Sequence, residues 1–191
     1  MKFVATAVDG AFIVLPEAHV DARGSFARLW CAGEFATQGI DIGVAQASRS
    51  VNPRAGTLRG MHFQRLPSRE AKLVRCERGR VFDAIIDLRP HSPTFMAHLA
   101  VELDARDGTA VFVPAGCAHG FLTLEDDCAV HYMMSEPQQA HLAGGVRHDD
   151  PAFGIAWPRP VACIHERDRS YPDFDLEAYR DSLRQTEEPN P

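Results

Sequence analysis

Short apolar runs separated by turn-forming residues recur along most of this chain, and this spacing limits the folds open to it. Glycine, proline or aspartate interrupts the runs at fairly even intervals. Few segments show the three-to-four-residue apolar spacing of an amphipathic helix. The pattern predicts an all-β fold, an antiparallel sandwich or barrel with a few short helices. Because no internal repeat, low-complexity tract or linker interrupts it, we expect residues 1–191 to form a single domain.

The expected strands cover most of the chain up to residue 134. Outside the central region they are residues 3–7, 11–15, 44–51, 56–64, 98–103, 109–113, 121–124 and 129–134. The strongest strand signal lies in residues 70–89. It consists of two apolar runs on either side of Glu77-Arg78-Gly79, an interruption that resembles a hairpin turn.

The remaining segments carry weaker signals. Short helices are expected within residues 32–43 and 172–184. Pro137, Pro151, Pro158 and Pro160 predict that the region after residue 135 is a loop, because proline interrupts regular structure. We expect the tail from about residue 185 to be disordered.

Composition and charge exclude several classes of function. The net charge of −6 argues against nucleic-acid binding as the main role. No apolar run approaches the ~18 residues of a membrane helix, and the N-terminus does not resemble a signal peptide. The five cysteines are odd in number and contain no C-x-x-C, which indicates free thiols in a reducing compartment. We therefore expect a cytoplasmic protein without membrane or nucleic-acid partners.

The stretch GTLRGMHFQ, residues 56–64, is the first candidate for chemistry. It places His62 three residues after Arg59, with glycines at 56 and 60. Regular strand alternation predicts that Arg59 and Met61 share one face while Gly60 and His62 share the other. A glycine here also predicts a close approach to the backbone. His62 suits proton transfer near neutral pH, although a histidine bonded within the core is the alternative.

The segment GTAVFVPAGCAH, residues 108–119, has the glycine, proline and histidine spacing of the second cupin motif. A strand ends at Pro114, a turn follows, and His119 is directed into the mouth of a barrel. A metal-dependent cupin would use His62, His119 and a carboxylate such as Glu70. Gln64, however, occupies a position where a metal site needs an imidazole or carboxylate. A metal centre is therefore the weaker interpretation, and a structural turn with a bonded histidine is another.

Seven blocks along the chain form a recognisable set. They are DARGSF (21–26), GTLRGMHFQ (56–64), AKLVRCERGRVFDAIIDLR (71–89), SPT (92–94), VPAGCAHGF (113–121), DDPAFGIAWP (149–158) and RDRSYP (167–172). Together they resemble the dTDP-4-dehydrorhamnose 3,5-epimerase family, whose members are metal-free cupins that need no cofactor. The resemblance runs in order along nearly the whole chain. It implies an antiparallel jelly roll and a homodimer with strand exchange. It also implies a nucleotide-diphosphate-linked 4-keto-6-deoxy sugar as substrate, in deoxysugar or cell-surface polysaccharide biosynthesis.

The resemblance also implies roles for single residues. His62 matches the general base, Asp168 its carboxylate partner, Tyr132 the acid on the opposite face and Lys72 the lysine at the keto oxygen. The expected substrate-binding residues are Arg23, Phe26, Arg28, Gln46, Ser48, Arg59, His119, Gln138 and Arg167. These residue types fit the chemistry, since inversion needs a base on one face of the sugar and a proton donor on the other.

The chain departs from the family pattern mainly toward the nucleotide base. The departures are Arg28 for a glutamate, Ser48 for an asparagine, Pro137-Gln138 for an aromatic pair, Ala143 for a glutamate and His148 for a tryptophan. They suggest altered base recognition, which a CDP or GDP sugar would fit. Inversion of C3 or C5 alone, a non-catalytic nucleotide-sugar binder and a metal-dependent oxygenase are the other hypotheses.

Overall fold

The computed structural model describes residues 1–40 and 42–187. Most of its strands form two six-stranded sheets that share a core, and one hairpin forms a separate two-stranded sheet. The fold is an antiparallel jelly roll with few short helices, so the predicted all-β class is confirmed. In chain order the strands are β1 (Lys2–Ala5), β2 (Phe12–Leu15), β3 (Ala18–Asp21), β4 (Gly24–Ala27), β5 (Gln46–Asn52), β6 (Thr57–Gln64), β7 (Lys72–Arg78), β8 (Arg80–Asp87), β9 (His98–Asp104), β10 (Ala110–Val113), β11 (Cys117–Thr123), β12 (Cys128–Met134), β13 (Ala143–Gly145) and β14 (Cys163–Ile164).

The first sheet has the strand order β1-β2-β10-β7-β12-β5, so β5 is one of its edges. The second sheet has the order β13-β6-β11-β8-β9, and β14 adds to β6 in parallel. The helices are α1 (Ala32–Ala36), α2 (Glu166–Arg169) and α3 (Leu176–Glu187), and a 3-10 turn lies at Ala140–Leu142. None of the helices in the described ranges has the length and apolar composition needed to cross a membrane.

Strand alternation builds the core between the two sheets. Alternate residues of the central strands point inward and meet from both sides, and the largest apolar cluster contains Val74, Val81, Ile85, Phe121 and Val130. Burial of such side chains is the main favourable contribution to folding. Further clusters lie on the outer faces, under α1 and under the segment that ends in α3. Strands of both sheets also line a cavity between them.

The predicted hairpin at residues 77–79 is wrong. β7 belongs to the first sheet and β8 to the second, and the chain crosses between the sheets at Gly79. Gly79 has φ of +76°, and a Cβ there would lie 2.7 Å from the Sγ of Cys128. The sequence signal for a turn was therefore correct, but its partners are distant strands that a local pattern does not identify.

Other boundaries also differ from the expectations. The predicted helix within residues 32–43 is limited to α1, and residue 41 lies outside the described residues. Within the predicted loop after residue 135, the short strand β13 pairs with β6. The last helix includes residues 185–187, which the sequence assigned to a disordered tail, and residues 188–191 lie outside the described part. All five cysteines are free thiols, as predicted.

Candidate active site

Strand β6 contains an irregularity that decides which side chains face the cavity. In its register against β11, His62 pairs with His119. Three residues earlier on β6, Arg59 pairs with Phe121, which is only two residues from His119. β6 therefore holds one extra residue, a β-bulge, which changes the direction of the following side chains. As a result Arg59 and His62 both line the cavity.

The regular alternation predicted for β6 was wrong because of this bulge. Met61 packs in an outer apolar cluster instead of sharing the face of Arg59. The expected close approach at the glycine is confirmed. A Cβ on Gly60, whose φ is +131°, would lie 2.5 Å from the Cα of Gly120. Two glycines facing each other thus allow the adjacent backbones of β6 and β11 to approach at the bulge.

His62 is held by a buried carboxylate. Its Nε2 lies 2.8 Å from Oδ1 of Asp168, which is 2% exposed although its neighbours in α2 are charged and exposed. Burial favours the protonated acid, but hydrogen bonds from His62, Arg167 and the Gly60 N–H outweigh it and lower the pKa of Asp168. An ionised Asp168 accepts the Nε2 hydrogen, which leaves Nδ1 of His62 as the free base.

Arg167 adds a positive charge beside this pair. Its Nε is 3.2 Å from Oδ1 of Asp168, and its Nη2 is 3.2 Å from Nε2 of His62. The guanidinium lines the cavity and remains more than half exposed. A guanidinium in this position suits a bidentate contact to an anionic group of a ligand.

Tyr132 lies on the opposite sheet and faces the same cavity as His62. Burial, and secondarily the charge of Asp83, raise the pKa of its phenol, while Arg59 opposes the shift. The phenol therefore carries its hydrogen at neutral pH and is available as a proton donor. Its ring meets that of His119 edge to face at 6.0 Å between centroids.

Lys72 provides an ammonium group at the cavity wall. It begins β7, and its Nζ lies 2.6 Å from Oε1 of Glu70, whose side chain is 2% exposed. The lysine side chain is 14% exposed and lines the cavity. Glu70 therefore forms an ion pair with Lys72 and does not contact a cluster of histidines. In residues 1–40 and 42–187, no three His, Cys, Asp or Glu side chains are grouped as metal ligands would be.

The cavity between the sheets has a volume of about 700 Å³ and brings most of the predicted site residues together. The predicted residues that line it are His62, Lys72, Tyr132, Asp168, Ser48, Arg59, His119, Gln138 and Arg167. Gln46 does not line it, but its side chain contacts Ser48 and accepts a hydrogen bond from the Gln138 N–H at 3.2 Å. The cavity is large enough for a sugar nucleotide to enter in part.

Three predicted substrate-binding residues lie elsewhere in this chain. Arg23 sits at the tip of the β3–β4 hairpin, pairs with Asp21 and is 89% exposed. Phe26 of the same hairpin is 77% exposed. Arg28 pairs with Glu34 of α1. Among the described residues, the hairpin that carries Arg23 and Phe26 joins neither of the two larger sheets. The substrate-binding role of all three residues stays a prediction.

Several residues near the cavity were not predicted as site residues, and Glu70 was considered only as a metal ligand. Glu70, Met134 and Tyr171 line its wall, and Asp83 lies behind it, bonded to His119. Asp83 had a usable signal, since a carboxylate within the apolar run VFDAII requires a specific partner when the strand is buried. Glu70 precedes Lys72 by two residues, the spacing that places both on one side of a strand. For Met134 and Tyr171 the sequence carries no comparable signal.

Similarity to known proteins extends over nearly the whole chain. A family model described as dTDP-4-dehydrorhamnose 3,5-epimerase matches residues 5–175. The dTDP-4-dehydrorhamnose 3,5-epimerase of Sinorhizobium fredii (strain NBRC 101917 / NGR234) is 37% identical over 175 residues, covering 91% of this chain and 90% of that protein.

Solved structures show the same similarity. The crystal structure of dTDP-4-dehydrorhamnose 3,5-epimerase from Elizabethkingia anophelis NUHP1 matches with a TM-score of 0.88 at 33% identity, covering 91% of this chain and 96% of that one. The crystal structure of ChmJ, a 3′-monoepimerase from Streptomyces bikiniensis, in complex with dTDP-quinovose matches with a TM-score of 0.83 at 34% identity. That match covers 93% of this chain and 90% of ChmJ.

Proposed function

This chain belongs to the dTDP-4-dehydrorhamnose 3,5-epimerase family, and we propose that it inverts C3, C5 or both in a nucleotide-diphosphate-linked 4-keto-6-deoxy sugar. One observation carries the proposal. His62, paired with Asp168, and Tyr132 line one cavity from opposite sheets. Such an isomerase acts in deoxysugar biosynthesis.

The proposed reaction moves one proton at each inverted centre. The C4 ketone acidifies the hydrogens on C3 and C5, because the carbanion formed there is an enolate. Nδ1 of His62 removes the proton, and the C–H electron pair moves into the enolate. Tyr132 then donates its phenolic hydrogen to the same carbon from the other face, which forms the new C–H bond. Solvent returns a proton to the phenolate and takes one from the imidazolium.

Lys72 stabilises the negative oxygen of this enolate in the proposed mechanism. Its ammonium lies at the cavity wall and is largely withdrawn from solvent. A fixed donor directed at a developing oxyanion contributes about 3 kcal/mol to transition-state stabilisation in comparable sites. Arg59 and Arg167 have the chemistry to hold the diphosphate and so to position the sugar.

A second candidate is a single-centre epimerase. The similarity to ChmJ, a 3′-monoepimerase, supports it, since the chain matches that structure over most of its length. Incubation with a panel of nucleotide 4-keto-6-deoxy sugars in heavy water, followed by NMR at C3 and C5, separates the two candidates. Deuterium at both centres with inversion supports the double epimerase, and deuterium at one supports the other. Binding without deuterium uptake at either centre would make the chain a non-catalytic binder.

The nucleotide base forms a separate part of the proposal. Relatives carry dTDP in their names, which favours a dTDP sugar for this chain. The polar wall made by Ser48, Gln138 and the adjacent Gln46 favours the alternative of a CDP or GDP sugar. Calorimetric titration with the four nucleoside diphosphates decides between them. A clear preference for dTDP would exclude altered base recognition.

We also propose that two copies of the chain exchange the β3–β4 hairpin. The hairpin exposes Val20 and Phe26, and large apolar side chains in such positions commonly mark an interface. β5 is a free edge of the first sheet, and its Ser48 and Ser50 line the cavity. A hairpin added to that edge would place Arg23 of the partner subunit beside the diphosphate.

A further inference from the structure

A second histidine–carboxylate pair lies at the cavity wall, with His119 lining the cavity and Asp83 behind it, and it has no part in the reaction described so far. Nε2 of His119 lies 2.9 Å from Oδ2 of Asp83. His119 is 4% exposed and Asp83 is 0% exposed. Within the described part of the chain, Oδ1 of Asp83 has no hydrogen-bond partner. Asp83 is thus a buried acid with a single hydrogen-bond partner, so its surroundings determine whether the pair carries a net charge.

The surroundings of Asp83 disfavour a net negative charge. Asp83 lies between Val81 and Ile85 on the inward face of β8, and both neighbours belong to the core between the sheets. An ionised carboxylate among apolar side chains is costly unless a positive charge or several donors compensate it. Burial accordingly raises the pKa of Asp83, while His119 opposes the shift. The pair is therefore most stable when it is uncharged overall.

An uncharged pair has one consequence for the cavity, whichever atom holds the shared proton. A carboxylate beside an imidazolium has hydrogens on both nitrogens of His119. A carboxylic acid that donates to Nε2 leaves the only ring hydrogen on Nδ1. Both forms present an Nδ1–H, whereas a carboxylate beside a neutral imidazole presents a lone pair there.

We propose that Asp83 is a positioning residue that fixes His119 through Nε2 and keeps the pair uncharged, so that the Nδ1–H acts as a donor beside Tyr132. This inference rests on the proposed epimerase function. When Tyr132 gives its hydrogen to the sugar carbon, the O–H bond breaks and a phenolate remains. An ionised Asp83 whose charge is not balanced by an imidazolium would raise the pKa of Tyr132 and oppose that step. A neutral pair removes the opposition, and His119, edge to face with the tyrosine ring, supplies a nearby donor.

The first test measures the wild-type protein without substrate. ¹⁵N NMR at pH 7, with the signals assigned by their loss in His119→Gln, reports which ring nitrogens of His119 carry hydrogen. We expect a protonated Nδ1. An unprotonated Nδ1 would overturn the inference, and this readout does not depend on whether the protein is an epimerase.

The second test compares proton return with proton removal. In heavy water, Asp83→Ala, which leaves Nε2 of His119 without its partner, should raise the deuterium content of recovered substrate relative to that of inverted product by at least about fivefold. The reason is that His62 still exchanges the proton on the face of the sugar that it contacts, while proton donation by Tyr132 to the other face slows. Glu102→Ala is the matched control, because it removes an exposed carboxylate from the neighbouring β9, and it should leave the ratio unchanged.

The outcomes separate the inference from the function on which it rests. An unchanged ratio in Asp83→Ala, with a wild-type protein that inverts its substrate, would overturn the role of Asp83. If wild-type protein exchanges no 4-keto sugar, the proposed function fails instead. If Asp83→Ala does not fold, the nitrogen spectrum of wild-type His119 alone decides the inference.

Discussion

The carboxylate of Asp168 determines which nitrogen of His62 is able to act as a base. Replacement by Asn retains the shape but offers an amide that is free to donate to Nε2, which would place the ring hydrogen on Nδ1 in the cavity. Since general-base catalysis contributes roughly 10²–10⁴-fold, Asp168→Asn should lower kcat by at least about 10²-fold with little change in KM. Steady-state kinetics on the preferred substrate measures this.

Glu166→Gln is the control for Asp168→Asn, because Glu166 lies on the same short helix but is exposed. It should keep nearly full activity. Equal losses in both variants would show that α2 as a whole, and not the pairing with His62, is what the mutation disturbs.

The identities of single residues were the feature of the site that the sequence predicted best. His62, Lys72, Tyr132 and Asp168 were identified together because each occupies a motif position, and the structure brings all four to one cavity. Asp168 alone would have been assigned to solvent from its charged neighbours. Its burial depends on β6 passing beneath α2, a contact that no local pattern encodes.

Among the elements, β6 depends most on a particular backbone geometry. Gly60→Ala would place a Cβ 2.5 Å from Cα of Gly120, at a φ of +131° that side chains rarely adopt. Since neither backbone can give way cheaply, the variant should lose at least about 2 kcal/mol of unfolding free energy. Urea unfolding measures the loss. Gly33→Ala, where a Cβ meets no atom within 4 Å, should be nearly neutral, and a similar cost in both would contradict the account.

The end of β8 is joined to the following loop by a buried carboxylate. Oδ1 and Oδ2 of Asp87 accept hydrogen bonds from Arg89, and Oδ2 also accepts from Ser92 and Thr94. Burial favours the protonated form, but these donors outweigh it and lower the pKa of Asp87 to about 2. Because the folded-state pKa is depressed, the resulting stability exists above the unfolded-state value near 3.8 and is lost as pH falls toward 2.

Asp87→Asn should therefore reduce the unfolding free energy by about 2 kcal/mol at pH 7, with a smaller difference from wild type at pH 3. Urea unfolding at both pH values is the measurement. Asp181→Asn, which removes an exposed carboxylate on α3, should have little effect at either pH. A pH-independent loss in Asp87→Asn would rule out the charge as its cause.

The positions of the strands were predicted better than the strands with which each of them pairs. Most strands lie within a few residues of the expected positions, because apolar alternation is a local property. The crossing at Gly79 and the bulge at Gly60 were misread for one reason. Both depend on strands more than forty residues away, β12 and β11, whose pairing is set by the packed sandwich.

At the scale of the whole molecule, Arg23 lies on the exposed β3–β4 hairpin, away from the cavity of its own chain. If the hairpin acts in a second copy, Arg23→Ala and His62→Asn should each be nearly inactive alone. When the two variants are combined, unfolded and refolded together, the sample should regain about a quarter of wild-type activity. The reason is that half of the dimers contain one chain of each variant, and each of these dimers has one intact site. Activity assays of the mixture measure this.

The matched control for the mixture is Arg59→Ala with His62→Asn, both on β6 of one chain. That mixture should regain no activity, because each site lacks one of the two residues. Failure of the Arg23 mixture to regain activity, with dimers present by sedimentation, would place the function of Arg23 within its own chain.

Proton transfer on the two faces of one sugar is the central claim, and deuterium exchange in His62→Asn and Tyr132→Phe tests it most directly. With the preferred 4-keto sugar in heavy water, wild-type protein should give inverted product labelled at each inverted carbon. His62→Asn should give neither label nor inversion, and Tyr132→Phe should label recovered substrate with little inversion. Inversion by Tyr132→Phe at the wild-type rate, or labelling by His62→Asn at the wild-type rate, would contradict the account.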